Sequence, residues 1–183
     1  MQENTLTSLV LVKPTIDMAQ AIQEYKDEAL SVDSEMYGDG GLDHFNSVES
    51  WIEYAKRHDE EFVFSDGTVR ATTLFSLDKS RDRLIGMIDI RHELNDYLFK
   101  FGGNIGYSIR PSERHKGYGK QQLLLGLDYA KSVIGLKRVL ITCVNTNEAS
   151  RKIILACGGK FENELYDSSD NTCLLYTSPS PRD

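Results

Sequence analysis

The feature that most constrains the fold of this sequence is a cationic, glycine-containing segment, RPSERHKGYGK, at residues 110–120. It follows a strand-like run at residues 104–109 and precedes a run with helical periodicity that begins near Lys120. A helix N-terminus leaves backbone N–H groups unpaired and carries partial positive charge, and glycines let the chain come close to a diphosphate. The segment therefore predicts an anion site formed by the backbone amides of His115 to Lys120.

Three cations, Arg114, Lys116 and Lys120, flank the sequence Gly117-Tyr118-Gly119 and would strengthen such a site. An ordinary tight turn before a helix would explain the glycines but not the cationic flanks. A Walker loop requires G-x-x-x-x-G-K-[ST], and GYGKQQ has neither that spacing nor the hydroxyl. A Rossmann loop needs a third glycine and a parallel βαβ unit at the start of the sheet, whereas antiparallel strands are predicted before this segment.

The rest of the chain alternates between strand-like and helical patterns. Strands are predicted at residues 6–13, 69–77, 84–93, 104–109, 138–144 and 160–166. The charged turn DKSRDR joins the second and third strands, and sequential antiparallel pairing of the second to fourth strands is the simple interpretation. Later strands separated by helices favour crossovers. We expect an α/β (α+β) fold with a mixed, mostly antiparallel sheet flanked by helices on both faces.

Four helices are predicted from periodicity and from start and stop signals. They cover residues 18–30 with Asp17 as N-cap, residues 50–58, a segment from near Lys120, and residues 147–156 ended by Gly158-Gly159. The third helix is expected to bury one apolar stripe, made of Leu123, Leu124, Leu127, Ala130 and Ile134.

Length and charge limit the organisation and the partners. The chain has 183 residues, the size of one domain, and no apolar run approaches the roughly 20 residues of a membrane span. Its N-terminal segment has no export-signal pattern, so a cytoplasmic location is expected. A formal net charge of -7 argues against binding to nucleic acid or anionic membranes, since neutralising phosphates requires surplus Lys and Arg.

The cysteines and histidines show no metal-site pattern. Cys143, Cys157 and Cys173 form no C-x-x-C pair or Cys/His cluster, so we predict no bound metal. Cys143 lies in the apolar run VLITCV and is interpreted as a core residue rather than a nucleophile.

The C-terminal sequence CLLYTSPSPRD, at residues 173–183, resembles a translated sequencing-adapter read-through. Its two prolines and two serines in TSPSPRD fall where a final strand would otherwise continue. We therefore expect a single domain at residues 1–172 followed by a non-native tail at residues 173–183.

The pattern R-x-x-G-x-G, after a strand and before an amphipathic helix, resembles the acyl-CoA diphosphate loop of the GNAT acyltransferases. A second segment, ITCVNTNEASRKIILACGG, resembles the strand and Asn-led helix that follow in that family, and GGNIGYSIRPSERHKGYG resembles a poorly characterised bacterial group within it. The resemblance covers about residues 6–166. It implies an N-acetyltransferase that uses acetyl-CoA to acetylate a primary amine of a small molecule or peptide.

The resemblance also implies roles for individual residues. Backbone amides of His115 to Lys120 would hold the diphosphate, the strand around Ile109 would pair with the pantetheine arm, and Asn147 would contact the cosubstrate from the next helix. A bulge near Ile109 would open the gap that this pairing requires. The expected reaction is direct attack of a neutral amine on the thioester, with the oxyanion held by a backbone N–H near Ile109.

Two catalytic residues common in the family are missing from the pattern. Ile154 stands where many relatives have a tyrosine acid, and residues 102–104 are Gly-Gly-Asn where some relatives have a glutamate base. His92 is the candidate base, because an imidazole can accept a proton at neutral pH and IRHELN places it at the end of a strand. A histidine packed at the sheet edge and hydrogen-bonded to backbone is the alternative.

The acidic residues of two loops could attract a cationic amine, although solvated loop charge is the alternative explanation. They are Asp33, Glu35, Asp39 and Asp43 in one loop and Asp167 and Asp170 in the other. Because the usual acid and base are missing, a catalytically silent acyl-CoA-binding sensor is a competing function. A nucleotide-binding regulator that uses the same loop is a third, and it predicts affinity for ATP or NAD. The sequence does not define the oligomeric state.

Overall fold

The computed structural model describes residues 9–33, 35–60, 66–168 and 172–177. The strands are β1 Leu9–Val12, β2 Ala71–Asp78, β3 Arg83–Arg91, β4 Ile105–Ile109, β5 Ile141–Val144, β6 Phe161–Asp167 and β7 Thr172–Thr177. The helices are α1 Ala19–Val32, α2 Val48–Glu60, α3 Tyr118–Tyr129 and α4 Glu148–Ala156.

Within the described ranges, the strands form one sheet of seven in the order β1-β2-β3-β4-β5-β7-β6. Neighbouring strands are antiparallel except β4 and β5, which are parallel and are joined through α3. A parallel pair needs such a crossover connection, whereas β2, β3 and β4 follow one another directly. The predicted mixed, mostly antiparallel sheet is therefore confirmed.

Helices cover both faces of this sheet, as predicted. On one face α1 and α2 form a core around Tyr25, Trp51 and Phe75. On the other face α3 and α4 pack over a second core that includes Ile88 and Ile154. None of the helices in the described part of the chain is long and apolar enough to span a membrane.

Three local predictions were wrong, because tertiary packing decides these positions. Asp17 lies in a single 3-10 turn and Met18 is the N-cap of α1, without a side-chain capping bond. Leu124 is 45% exposed, since α3 packs closely on the sheet at Gly126, where a Cβ would lie 2.3 Å from Ile88 Cδ1. The pairing of β4 with β3 runs without a bulge to Ile109, and the register shifts among the described strands lie between β2 and β3 and between β6 and β7.

The strand β7 contains the first five residues of the expected tail. Residues 172–177 pair with β5 on one side and with β6 on the other. This places the backbone of the CLLYT sequence inside the sheet, and the non-native origin of residues 173–183 stays a prediction. Residues 1–8, with the first part of the predicted strand at residues 6–13, and Asp170 lie outside the described residues.

Candidate active site

The parallel strands β4 and β5 separate from each other at the centre of the sheet. In the described chain they pair at the single position Ile105 and Ile141. Just before it, the Asn104 N–H donates to the Leu140 carbonyl at 2.7 Å and the Leu140 N–H donates to Asn104 Oδ1 at 2.9 Å. Beyond Ile105, β4 stays paired with β3 but leaves β5. We call the resulting opening the β4–β5 gap.

The peptide groups of Tyr107 and Ile109 face the β4–β5 gap. The Arg110 N–H donates to β3 at 2.8 Å and the Asn104 carbonyl accepts from β3 at 2.7 Å, so the even-numbered residues of β4 are turned toward β3. The odd-numbered residues are turned the other way. The Ile109 carbonyl accepts a hydrogen bond from Arg114 Nε at 3.1 Å. An open strand edge of this kind can pair with an extended, amide-bearing ligand.

The segment before α3 forms an open helix N-terminus. Gly117 is the N-cap with φ 84°, no side chain caps the helix, and a Cβ at Gly117 would meet nothing within 4 Å. His115 also has a positive φ, 61°. The first N–H groups of α3, on Tyr118, Gly119 and Lys120, therefore have no intrahelical acceptor. They are available to an anionic ligand.

Two of the cations in this segment are held by acidic side chains. Arg114 forms an ion pair with Asp33, and Lys116 Nζ lies 3.1 Å from the Glu113 carboxylate. Lys120 is exposed beside the first turn of α3. The positive potential at the helix start therefore comes from the backbone and Lys120 more than from Arg114 and Lys116.

Glu113 anchors the segment to the sheet. It is buried and accepts two hydrogen bonds from Arg81, at 2.9 and 3.1 Å, and one from Arg83 at 2.8 Å. The Arg81 hydrogen bonds lower the pKa of Glu113 to about 2 against the opposing effect of burial, and Lys116 and Arg83 add to the shift. A charged, buried carboxylate bonded to several cations fixes the turn that leads into α3.

A cavity of about 290 Å³ lies on the face of the sheet covered by α1 and α2. The α1–α2 connection, including Gly38 and Asp39, forms one wall, so we call it the α1–α2 cavity. Its ionisable and hydroxyl-bearing lining residues are Asp39, Tyr54, His58, Thr68, Thr73, Asp89, Arg91 and Tyr97. Two buried carboxylates in a cavity of this size favour a ligand that carries a positive charge.

The two carboxylates of the cavity have different neighbours. Asp89 accepts a hydrogen bond from Thr73 Oγ1 at 2.8 Å and lies 3.6 Å from Arg91 Nε, so a cation compensates its charge. Asp39 accepts the Asp43 N–H at 3.0 Å, and none of the ion pairs among the described residues includes it. Burial raises the pKa of Asp39 to about 6, and the neighbouring Asp43 carboxyl acts in the same direction.

Gly38 brings the α1–α2 cavity next to the β4–β5 gap. Gly38 has φ +66°, and a Cβ there would lie 2.4 Å from the carbonyl carbon of Gly106 and 2.5 Å from Tyr107 Cα. Gly106 is the first residue of β4 beyond the last pair with β5, and it lies opposite Asp89 of β3. One wall residue of the cavity, Gly38, therefore packs directly on the segment of β4 that borders the gap.

A hydroxyl pair lies on the α4 side of this segment. The Tyr107 hydroxyl is 2.9 Å from Ser150 Oγ, and burial raises the pKa of Tyr107. Ile154, at the position of the tyrosine acid in many relatives, is fully buried in the core. Sequence reasoning missed Tyr107 and Ser150, because nothing in the local pattern indicates that β4 and α4 meet.

Asn147 is the N-cap of α4, and its Oδ1 accepts the Ser150 N–H at 3.0 Å. This cap fixes the start of the helix that borders the gap. Cys143 and Cys157 are buried in the core, as interpreted, and burial raises the pKa of both thiols. No three His, Cys, Asp or Glu side chains converge as a metal site would require in the part of the chain described.

His92 lies away from the α1–α2 cavity. Its Nε2 is 2.7 Å from Thr72 Oγ1 and 4.0 Å from an Asp59 carboxylate oxygen, and burial lowers its pKa. Thr72 and Thr73 are consecutive residues of β2, so their side chains point to opposite faces of the sheet. Thr73 lines the cavity. The structure therefore places His92 on the opposite face from Asp39 and Asp89.

The acidic residues of the two loops, predicted to attract a cationic amine, lie in different environments. Asp33 is paired with Arg114, and Asp167 is buried on β6. Asp39 lines the α1–α2 cavity with Asp43 beside it. The residues of this loop that face the cavity are thus set by packing of the α1–α2 connection against β2 and β4, not by their order in the sequence.

Comparisons with known proteins agree with this architecture. A family model described as an acetyltransferase (GNAT) domain matches residues 8–160. Similar solved structures include ribosomal-protein-S5-alanine acetyltransferase from Vibrio fischeri, with a TM-score of 0.70 and 19% identity over 96% of this chain and 94% of that one. A spermidine N-acetyltransferase chimera that includes the Vibrio cholerae protein gives a TM-score of 0.66 and 16% identity over 95% and 96%.

Among curated proteins, no sequence matches this chain significantly. The match to the family model nevertheless spans most of the chain, including both strands of the gap and the first turns of α3. The chain is an acetyltransferase that belongs to the GNAT family.

Proposed function

We propose that this protein is an N-acetyltransferase that uses acetyl-CoA to acetylate a primary amine of a small molecule or peptide. The observation that carries the proposal is the placement of two features on either side of residues 106–107 of β4. An anion-accepting helix start and an open strand edge lie along the β4–β5 gap, and a cavity with buried carboxylates lies on the other face. A donor and a cationic acceptor could approach the same strand from opposite sides.

The residues along the gap fit acetyl-CoA. The uncapped amides of His115 to Lys120 would hold the diphosphate, and open space in front of Gly117 leaves room for it. The peptide groups of Tyr107 and Ile109 would pair with the amides of pantetheine, with Asn147 beside them. Bound acetyl-CoA supplies the activated thioester.

The chain contributes positioning and electrostatic stabilisation to the transfer. A backbone N–H of β4 in the gap would donate to the carbonyl oxygen on which negative charge develops. The α1–α2 cavity orients the amine toward Gly106 and limits the access of water. No side-chain nucleophile is needed, since the amine attacks directly.

Thiol release from acetyl-CoA tests the proposal. The panel should include spermidine and an alanine peptide, chosen after the names of the two structural relatives, together with a lysine peptide and simple alkylamines. We expect at least one amine to release thiol well above the no-amine blank. Binding of CoA with no amine-dependent thiol release would instead indicate a sensor and would overturn the proposal.

Thermal stability separates acetyl-CoA from other ligands of a phosphate-binding loop. A ligand at about 100 times its dissociation constant stabilises the native state by roughly 2.7 kcal/mol. We expect CoA and acetyl-CoA to raise the melting temperature and ATP and NAD to leave it unchanged. Stabilisation by ATP or NAD alone would favour a nucleotide-binding regulator.

A further inference from the structure

We propose that the Asp39 carboxylate is the general base that takes a proton from the acceptor ammonium in the α1–α2 cavity. The inference rests on the proposed function and adds to it the catalytic residue that the family pattern lacks in this sequence. It is carried by the position of the Asp39 backbone next to β4, by the burial of its side chain, and by the absence of Asp39 from the ion pairs of the described residues.

Asp39 is held close to the place where the two substrates would meet. The preceding residue, Gly38, is in contact with Gly106 and Tyr107, where β4 leaves β5. This tight contact between backbones restricts the backbone of the next residue, Asp39. It is 7% exposed and lines the cavity.

Asp89 and His92 are less suited to proton transfer. Asp89 lines the same cavity, but Thr73 donates a hydrogen bond to it and Arg91 Nε lies 3.6 Å away, so its carboxylate is already engaged by a cation. His92 lies on the opposite face of the sheet with Thr72. In the part of the chain that the structure describes, Asp39 accepts hydrogen bonds from backbone N–H groups of its own turn, and a second carboxyl, Asp43, lies beside it.

The proton balance of the step is complete. Asp39 accepts one proton from the ammonium nitrogen, which leaves a neutral amine with a free electron pair. That pair forms the new C–N bond as the C–S bond breaks, and the second nitrogen proton neutralises the departing thiolate. The products are the acetamide and a free thiol, and the protonated Asp39 returns its proton to solvent.

The environment of Asp39 suits this exchange near neutral pH. The ionisable groups that face it are Asp43 on its own connection, Tyr25 of α1, Tyr54 and His58 of α2, and Asp89 and Arg91 of β3. A general base works best when its pKa lies near the operating pH, and that of Asp39 is about 6. Turnover should therefore fall as the pH decreases through about 6, where Asp39 becomes protonated.

The test is the pH dependence of kcat and kcat/KM for wild type, Asp39→Asn, Asp39→Glu and Asp43→Asn with the best amine of the panel. Asn keeps an oxygen acceptor for the Asp43 N–H, so the turn should still form. We expect Asp39→Asn to lower kcat by about 100-fold and to remove the decrease near pH 6, with acetyl-CoA binding retained. Asp39→Glu should restore part of kcat.

Asp43→Asn is the matched variant. A purely structural role of Asp39 predicts no change in the pH profile when Asp43 is replaced. Removing the neighbouring carboxyl should move the acidic decrease to lower pH and leave kcat at its plateau within a few fold. An Asp39→Asn protein with wild-type kcat and an unchanged acidic decrease overturns the assignment of Asp39 while the proposed function stands. If wild type itself releases no thiol with any amine, the proposed function fails first.

Discussion

Gly38 of the α1–α2 connection packs against Gly106 of β4 so closely that a single methyl group at Gly38 would lie 2.4 Å from the Gly106 carbonyl. This contact joins the wall of the α1–α2 cavity to the strand that borders the β4–β5 gap. A Cβ at Gly106 would in turn lie 3.3 Å from Gly38 Cα, so the two backbones leave little room for a side chain between them.

The Gly38→Ala protein should be less stable by about 3 kcal/mol, because the methyl group meets backbone and the residue has a positive φ. Gly41→Ala is the control, since Gly41 also has a positive φ but a Cβ there meets nothing within 4 Å. We expect the control to lose about 1 kcal/mol. Urea denaturation measures both values, and equal losses would contradict the close packing of Gly38 on Gly106.

Tyr107 and Ser150 should show a favourable coupling energy. Their hydroxyl oxygens are 2.9 Å apart in a partly buried site, and such a hydrogen bond contributes about 1 kcal/mol. A double-mutant cycle with Tyr107→Phe and Ser150→Ala, measured by chemical denaturation, isolates this term. Strictly additive effects would show that the two hydroxyls do not interact.

Gly117→Ala should weaken the binding of CoA about tenfold or more, because the methyl group enters the space in front of the first turn of α3. Gly135→Ala is a matched control beyond the other end of the same helical segment. It has φ +85° against +84° for Gly117, and a Cβ meets nothing within 4 Å at either site.

Both variants should lose about 1 kcal/mol of stability, so only binding distinguishes them. Isothermal titration calorimetry with CoA provides the comparison. Equal affinities of the two variants would show that the diphosphate binds elsewhere.

Glu113→Gln should destabilise the protein by about 2 kcal/mol at neutral pH, since it leaves Arg81 and Arg83 without their buried carboxylate. The pKa of Glu113 is lowered in the folded state to about 2. The stability that ionised Glu113 contributes is therefore fully present above the ordinary carboxyl pKa and is lost as the pH falls toward 2. Denaturation at several pH values should show that the difference in free energy of unfolding between variant and wild type becomes smaller in acid. A difference that stays constant with pH would contradict the ion pairing.

His92→Gln should keep the turnover of wild type and its acidic decrease near pH 6, because His92 lies across the sheet from the α1–α2 cavity. We expect a loss of stability of about 1 kcal/mol from the hydrogen bond to Thr72. Burial lowers the pKa of His92, so protonation favours the unfolded chain. The difference in free energy of unfolding between wild type and His92→Gln should therefore decrease as the pH falls below the ordinary histidine range. Loss of the acidic decrease in this variant would return His92 to the mechanism.

Much of the architecture could be predicted because its signals are local. The period of the apolar residues gave the helices and strands, Gly158-Gly159 marked the end of α4, and the N-cap Asn147 marked its start. The segment from Arg114 to Lys120 was placed between a strand and a helix for the same reason. Boundaries such as Asp17 and the exposure of Leu124 were wrong, because contacts distant in sequence set them.

The catalytic side of the candidate site could not be predicted in the same way. His92 was chosen for its intrinsic pKa, yet its orientation depends on Thr72 and Asp59, which are distant in sequence. Asp39 was one of several acidic loop residues, and only folding of the α1–α2 connection onto β4 buries it. Arg114 and Lys116 were predicted to face an anion, and the fold pairs them with Asp33 and Glu113.

The sequence by itself determined the four helices, the first six strands and the glycine-containing start of α3, because backbone conformation, helix ends and hydrophobic periodicity depend on residues near one another in the chain. The tertiary structure alone decided where β4 leaves β5, which carboxylate lies buried beside that point, and which charges are already paired. Burial and electrostatic pairing arise between segments far apart in sequence, and it is these that convert an ordinary aspartate into a candidate base.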